Sequence, residues 1–367
     1  MYKSLKINSF KGFQEFVLDN IGKINLIAGV NNVGKTALLE AIFLHCGAYN
    51  PSLTLNLDKF RGFEQLHVEF GGEWEKSPWD SLFNNFDKSK KIEIRGDFTD
   101  GNVRKIGLQV VRSSEESPEK GPIIQSGPSA FRNIPLDTEN TIVLRLNYEE
   151  FTKKKFNKKK SGASFLSIGP NGVSTPMVKQ SPFSTIFLPA RYRIPLEEDA
   201  KRFGNLDVVG QQNMLLDALK LIEPKLKRIA VVASGGIPVL YGDIGLSQML
   251  QLPYMGDGMS RLASIILAIG NAQDGVVLVD EIENGFHHSM MQKVWAAIDR
   301  AARHSNTQVF ATTHSLECII AAHKAFSQAE HYDLLVHRLN RVDETIKDVT
   351  FNQCDLDTAF ELKMDVR

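Results

Sequence analysis

Residues 29–36 read GVNNVGKT: a glycine, four spacers, then Gly34-Lys35-Thr36. Just before them, KINLIAGV (23–30) is a near-continuous apolar run of the kind that suits a strand buried on both faces. Just after, KTALLEAIFLHCG (35–47) reads as a helix that ends at Gly47. Strand, glycine loop and helix in that order are the context in which this spacing carries chemistry. Gly29 and Gly34 let the main chain curl so that successive N–H groups point inward at a helix N-terminus, a cradle for phosphate oxygens. Gly29, Asn31, Asn32, Val33, Gly34 and Ala37 are therefore expected nucleotide-binding positions. Lys35 is expected to reach the β- and γ-phosphates of ATP, and Thr36 to offer its hydroxyl to Mg²⁺.

Moving outward, three further stretches match that chemistry. GVVLVDEIENGFHH (275–288) is an apolar strand with acids at its carboxyl end. Asp280 is placed to reach the Mg²⁺ ion, and Glu281 to orient and deprotonate an attacking water. VFATTHS (309–315) is a second apolar strand, ending in polar residues and His314, which can sense a γ-phosphate. In YMGDGMSRLASIILAIG (254–270), Gly256-Asp257-Gly258 turns into a helix whose N-terminus can face a phosphate held by a second copy of the chain. His287 and His288 suit either the site or a helix start.

The pattern between these stretches sets the organisation. YKSLKINSF (2–10) and FQEFVLDN (13–20) alternate and form an antiparallel pair. Residues 91–189 are mostly strand-like, with GPNG (169–172) as a hairpin turn and a Ser/Pro/Gly-rich loop at 113–129. The expected fold is α/β: a nucleotide-binding core split between 1–50 and 254–330, a β-rich insert at 51–189, a mainly helical lobe at 190–253, and terminal strands at 331–367. No long heptad run occurs in the insert, so an extended coiled coil is not expected.

Composition bounds the partners. Lys+Arg and Asp+Glu both number 43, so the net charge is zero and no global attraction to nucleic acid is expected. The three cysteines, Cys46, Cys318 and Cys354, are far apart and without metal-ligand spacing, which fits a cytoplasmic protein. No apolar run is long enough for a membrane span. The run KKKFNKKK (153–160) is the one local candidate for DNA, with phosphate contacts by its lysines set against a merely solvated loop.

Together, the adjacent Asp280-Glu281, the strand-end His314 and the glycine turn before a helix resemble the ABC-type ATPase head of the OLD, RecF and SMC proteins. LKINSFKGFQEF (5–16) and INLIAGVNNVGKTALLEAI (24–42) are similar to the opening of that branch, and DEIENGFHH (280–288) resembles the acidic string of OLD-type ATPases. The resemblance implies Lys35 and Thr36 on phosphate and Mg²⁺, Asp280 on Mg²⁺, Glu281 as general base and His314 as switch. It implies Gly256, Gly258 and Arg261 as the element that meets ATP in trans, in place of the missing Leu-Ser-Gly-Gly-Gln. Gln65 and the Arg191 region of FLPARYR (187–193) are candidates for the glutamine loop. The resemblance further implies an ATP-stabilised homodimer that regulates a separately encoded nuclease or toxin in anti-phage defence. The alternatives are a RecF-like DNA-maintenance ATPase and an ATP-bound scaffold that holds a partner inactive. OLD proteins often carry a TOPRIM nuclease domain, and the residues after His314 are too few for one. The Asp355-Leu356-Asp357 string is accordingly read as a turn.

Overall fold

A computed structural model describes residues 1–62, 77–112, 141–153, 158–169, 172–175, 181 and 183–367. Two sheets face each other across one helix. The first sheet is antiparallel throughout. It holds β1 (Tyr2–Phe10), β2 (Phe13–Leu18), β4 (Ile92–Phe98), β5 (Val103–Arg112), β6 (Ile142–Thr152), β7 (Lys158–Gly169) and β8 (Gly172–Ser174), in the order β2-β1-β4-β5-β6-β7-β8. The second runs β16 (Thr345–Phe351), β15 (Leu334–Val342), β3 (Ile24–Ala28), β14 (Gln308–Thr312), β13 (Val276–Val279) and β9 (Thr185–Leu188). All its strands are parallel except β16.

The helix between the sheets is α1 (Lys35–Gly47), and every residue from Ala37 to Cys46 is buried. A helix apolar on all sides needs partners on all sides. Here the antiparallel sheet covers one flank and β9, β13 and β14 the other. One apolar cluster thus joins Ile7, Phe10, Leu38, Leu39, Ile94, Leu278 and Phe310. Glu40 and His45 are the polar exceptions, with His45 at the far end of α1. His45 meets the Tyr2 hydroxyl at 2.5 Å and the Arg104 carbonyl at 3.1 Å. Burial, with the Arg104 guanidinium beside it, pushes its pKa down to about 3, so the ring is neutral.

On the other face of the parallel sheet lie α3 (Leu196–Val208), α4 (Asn213–Lys220), α5 (Asp257–Asn271), α6 (Met291–His304) and α7 (Leu316–Ser327). Their apolar faces share a second cluster with Leu26, Val277, Val279 and Val309. A small sheet of β10 (Arg228–Ser234), β11 (Ile237–Asp243) and β12 (Leu250–Gln251) packs beside α3. α2 (Leu53–Phe60) follows α1 closely, and α8 (Gln353–Glu361) follows β16.

The α/β architecture expected from sequence is present, with a β-rich lobe and a partly helical lobe between the glycine loop and the acidic strand. Four placements differ. β1 and β2, read from sequence with the nucleotide core, lie in the antiparallel sheet that covers one flank of α1. β9 falls within the stretch read as the β-rich insert, yet it pairs in parallel with β13. The segment at 331–367 holds two strands and α8, and Asp355-Leu356-Asp357 lies in that helix rather than in a turn. Asp355 there completes a reciprocal cap with Asn352. The Ser/Pro/Gly-rich loop at 113–129 lies outside the described residues.

Candidate functional site

β3, β13 and β14 run parallel and side by side, so their carboxyl ends converge. That edge is where open parallel sheets present ligand sites. It brings together the glycine loop, the acidic turn at 280–284 and Thr312–His314. The loop conformation explains its glycines. Gly29 sits at φ 140, and a Cβ there would meet the Leu339 carbonyl oxygen at 2.8 Å and Val33 Cγ1 at 2.9 Å. The Lys35 Nζ donates to the carbonyls of Gly29 (2.6 Å) and Val30 (3.0 Å) and so spans the loop's own mouth. Partial burial lowers the Lys35 pKa, and the Asp280 carboxylate acts against that shift.

Thr36, at the start of α1, donates its hydroxyl to the Asp280 carboxylate at 3.0 and 3.1 Å. Thr312, at the end of β14, donates to Asp280 Oδ1 at 2.7 Å. The same Thr312 oxygen accepts from the Glu281 N–H at 2.8 Å. A continuous chain therefore links the glycine loop, both strand ends and the first acid of the turn. Burial pushes the Asp280 carboxyl above its usual range, while the two hydroxyls pull it down. A carboxylate and a hydroxyl brought together on two elements are hard oxygen donors, which fits Mg²⁺.

Glu281 adopts φ 47, a left-handed conformation that costs a non-glycine residue about 1 kcal/mol or more. That sharp bend follows directly on Asp280, and the Glu281 carboxylate accepts from the Asn284 amide at 2.8 Å. Glu283 has a different environment. Its Oε1 accepts from the Thr313 hydroxyl (2.8 Å) and the His314 N–H (3.0 Å), and lies 3.3 Å from His314 Nδ1. Glu283 thus anchors the expected switch histidine. Its role was not read from sequence, although it lies within the quoted acidic string.

Gly256 precedes α5 at φ 114. A Cβ on Gly258 would lie 3.1 Å from the Gly285 carbonyl oxygen, so the first turn of α5 rests on the acidic turn. Arg261, expected to face a second subunit, points inward instead. Its Nη2 donates to the Asp280 carbonyl at 2.9 Å. Burial lowers its pKa, and Asp280 and Glu281 oppose the shift. Within the chain, Arg261 thus ties α5 to the acidic turn.

A further cluster was missed. Glu40 sits one turn beyond Thr36 on α1 and is fully buried. It binds Lys11 (2.5 Å) and Arg61 (2.8 and 3.0 Å). The available signal was one charged residue inside an apolar helix. The Glu40 hydrogen bond is the main cause of a raised Arg61 pKa, and Asp280 adds to it, so this cluster borders the site. Gln65 lies outside the described residues. Arg191 is exposed, and it is Arg193 that approaches Asp257 of α5, at 3.5 Å. His287 caps the turn before α6 by accepting from the Ser289 N–H, with its ring 4.1 Å from that of His288.

The lysine run sits on the β6–β7 hairpin, and residues 154–157 lie outside the described ones. Lys159 pairs with Glu149 at 3.3 Å and Lys160 with Glu150 at 3.6 Å. No described helix is long and apolar enough to cross a membrane.

Residues 24–319 match the family described as "AAA domain, putative AbiEii toxin, Type IV TA system". The chain is 24% identical over 335 residues to an ATP/GTP phosphatase of Helicobacter pylori, covering 87% of this chain and 86% of that one. It is 27% identical over 164 residues to the DNA replication and repair protein RecF of Clostridioides difficile, 42% of this chain and 41% of that one. Among solved structures, an SMC head bound to the C-winged helix domain of ScpA matches with a TM-score of 0.50 and 12% identity, covering 98% of this chain and 99% of that one. At that identity the likeness speaks for the fold alone.

Proposed function

The chain belongs to this AAA-domain family and is an ATPase of the ABC, SMC and RecF type, and from that premise we propose that it works as a Mg-ATP switch of the OLD kind. In this reading two copies close head to head around two ATP molecules, and hydrolysis separates them. The observation that carries it is the chain Thr36–Asp280–Thr312–Glu281, which ties the phosphate loop to the acid next to the metal position.

Each residue then has one task. The loop N–H groups from Asn31 to Thr36 hold the phosphates, and Lys35 leaves the Gly29 and Val30 carbonyls for the β,γ-bridge. Thr36 and Asp280 hold Mg²⁺, which when bound neutralises charge on the phosphate oxygens. Glu281 accepts the proton of the attacking water. His314, aimed by Glu283, reports the γ-phosphate. Gly256 and Gly258, at the start of α5, face the nucleotide of the second copy. Arg261 joins that helix start to the Asp280 carbonyl and so couples the two halves of the site.

The chain then acts through a separately encoded effector, a nuclease or toxin, in anti-phage defence. The family's description, which names a toxin–antitoxin system, and the resemblance to OLD proteins support this reading. RecF similarity covers less than half the chain, and Lys159 and Lys160 are paired with glutamates, so a DNA-maintenance role ranks second. The test is Glu281→Gln, whose amide keeps the shape of the side chain but accepts no proton. Mixed with Mg-ATP, the variant gains mass on size exclusion relative to its nucleotide-free form. Unchanged mass with ATP bound, in a form that is a single chain without nucleotide, would overturn head-to-head closure.

A further inference from the structure

Six strands lie at sheet edges among the described residues: β2, β8, β9, β10, β12 and β16. Exposed edges are ready templates for another strand, and proteins shield them with charge or brevity. β2 carries Glu15 and β16 carries Lys347 and Asp348, while β8, β9 and β12 run only three, four and two residues. β10 has neither defence. It runs seven residues, RIAVVAS, with no charge after Arg228 and a regular register against β11. Val231 and Val232 point to opposite faces of the strand, yet are 40% and 41% exposed.

We propose that β10 pairs antiparallel with β10 of a second copy of this chain, through an interface that needs no ATP. The hairpin fixes which backbone groups are free. Gly235 (φ 61) and Gly236 (φ 86) form a two-residue turn of the mirror-image type that suits tight hairpins. In such hairpins the closing pair, here Ser234 and Ile237, exchanges both of its hydrogen bonds. Alternation then directs the N–H and C=O groups of Ser234, Val232, Ala230 and Arg228 toward β11. Those of Ile229, Val231 and Ala233 face the open edge.

One two-fold register uses all three of these residues. With the axis at Val231, Val231 meets its own copy, Ile229 meets Ala233, and six main-chain bonds form. Arg228 then lies opposite Ser234, so no like charges face each other. An axis at Ile229 or Ala233 runs off the strand or into the glycine turn. A second copy therefore fits by charge and register together, whereas an unrelated strand gains nothing from that symmetry. The two small sheets become one of six strands, an isologous interface.

This inference does not rest on ATP-driven closure, and its test omits nucleotide. The full chain in EDTA is expected to sediment as a two-chain particle. Val231→Lys places two ammonium groups against each other and should give single chains, as should Val231→Glu. Mixing the two variants should restore the pair. In a Cys354→Ser background, Val231→Cys should cross-link on mild oxidation, because directly opposed residues of a hydrogen-bonded pair lie about 5.5 Å apart, within disulfide range. Val232→Cys, which meets residue 230 of the copy, should not cross-link. Wild-type chain that sediments singly without nucleotide, a paired Val231→Lys, or equal cross-linking at 231 and 232 each overturns the proposal.

Discussion

The acidic turn at 280–284 draws its partners from across the fold; Lys159 and Lys160, in the lysine run at 153–160, draw theirs mainly from the neighbouring strand β6. The Asp280 carboxylate accepts from hydroxyls at the start of α1 and the end of β14, and the Glu281 carboxylate accepts from the Asn284 amide. None of these hydrogen bonds to the two carboxylates comes from a cation, so their charge stays available to a metal and a water. Lys159 and Lys160 are answered by Glu149 and Glu150, with Lys159 also 5.3 Å from the Phe151 ring centre and Lys160 4.8 Å from that of Tyr49. Density of charge in sequence therefore says little until it is known what faces it.

That contrast is most easily broken at Glu281. In Glu281→Gln, kcat should fall by about 10²–10⁴, the usual share of a general base, with ATP affinity kept. Steady-state hydrolysis beside equilibrium ATP titration reads both, and normal turnover would move the base elsewhere. Lys35→Ala should come next. It removes a charged donor worth about 1.5–3 kcal/mol, so ATP affinity should drop about 10- to 100-fold. Wild-type affinity in that variant would dismiss the loop as the phosphate site.

Within the same turn, Glu283 separates positioning from proton transfer. Glu283→Ala leaves the Thr313 hydroxyl, the His314 N–H and the His314 ring without their shared acceptor. Turnover should fall about tenfold, the lower end of a charge-assisted hydrogen bond, with ATP affinity little changed. If Glu283→Ala costs as much as Glu281→Gln, the two acids share the base's work.

These outcomes mark what could be read in one dimension. The glycine loop, the acidic strand end and His314 were legible because each lies at the end of an apolar run, and periodicity locates such ends. The inward turn of Arg261 was not. It depends on how closely α5 packs on Gly285, which no local pattern records. β9 was misplaced because a four-residue apolar strand looks alike in either sheet, and only its parallel pairing with β13 decides. The Glu149 and Glu150 partners of the lysines follow from hairpin register, and α8 escaped notice because its cap residues suit a turn equally well.

A smaller effect tests a buried acid outside the site. Asp199 of α3 accepts from the Ser264 hydroxyl of α5, and burial raises its pKa to about 6. The folded chain then holds the proton more tightly than the unfolded one, for which about 3.9 is usual. Stability from this group is full below the unfolded value and is lost as pH rises toward 6. Asp199→Asn keeps an acceptor for Ser264 without the buried charge. It should be more stable than wild type by about 1–2 kcal/mol at pH 8 and indistinguishable at pH 3.5, by denaturant melts at both. A constant difference across that range would place the effect in packing.

The smallest effect is expected at the hairpin. Lys159 and Lys160 are half exposed, and each faces one glutamate across the β6–β7 ladder. Exposed pairs of this kind contribute about 0.2–1 kcal/mol, much of it screened by salt. Lys159→Gln with Lys160→Gln should therefore shift stability by less than about 1 kcal/mol and leave hydrolysis unchanged, since the described contacts of these two lysines include no nucleotide residue. DNA binding separates the two readings of the run. Lysines on phosphates would show as a salt slope that flattens by up to about 0.9 for each duplex phosphate no longer bound. Lysines already neutralised by Glu149 and Glu150 release few counterions, so the slope should stay as it was. A clear flattening would reverse the opening contrast, because the glutamates would then be steering the lysines toward a polyanion rather than silencing them.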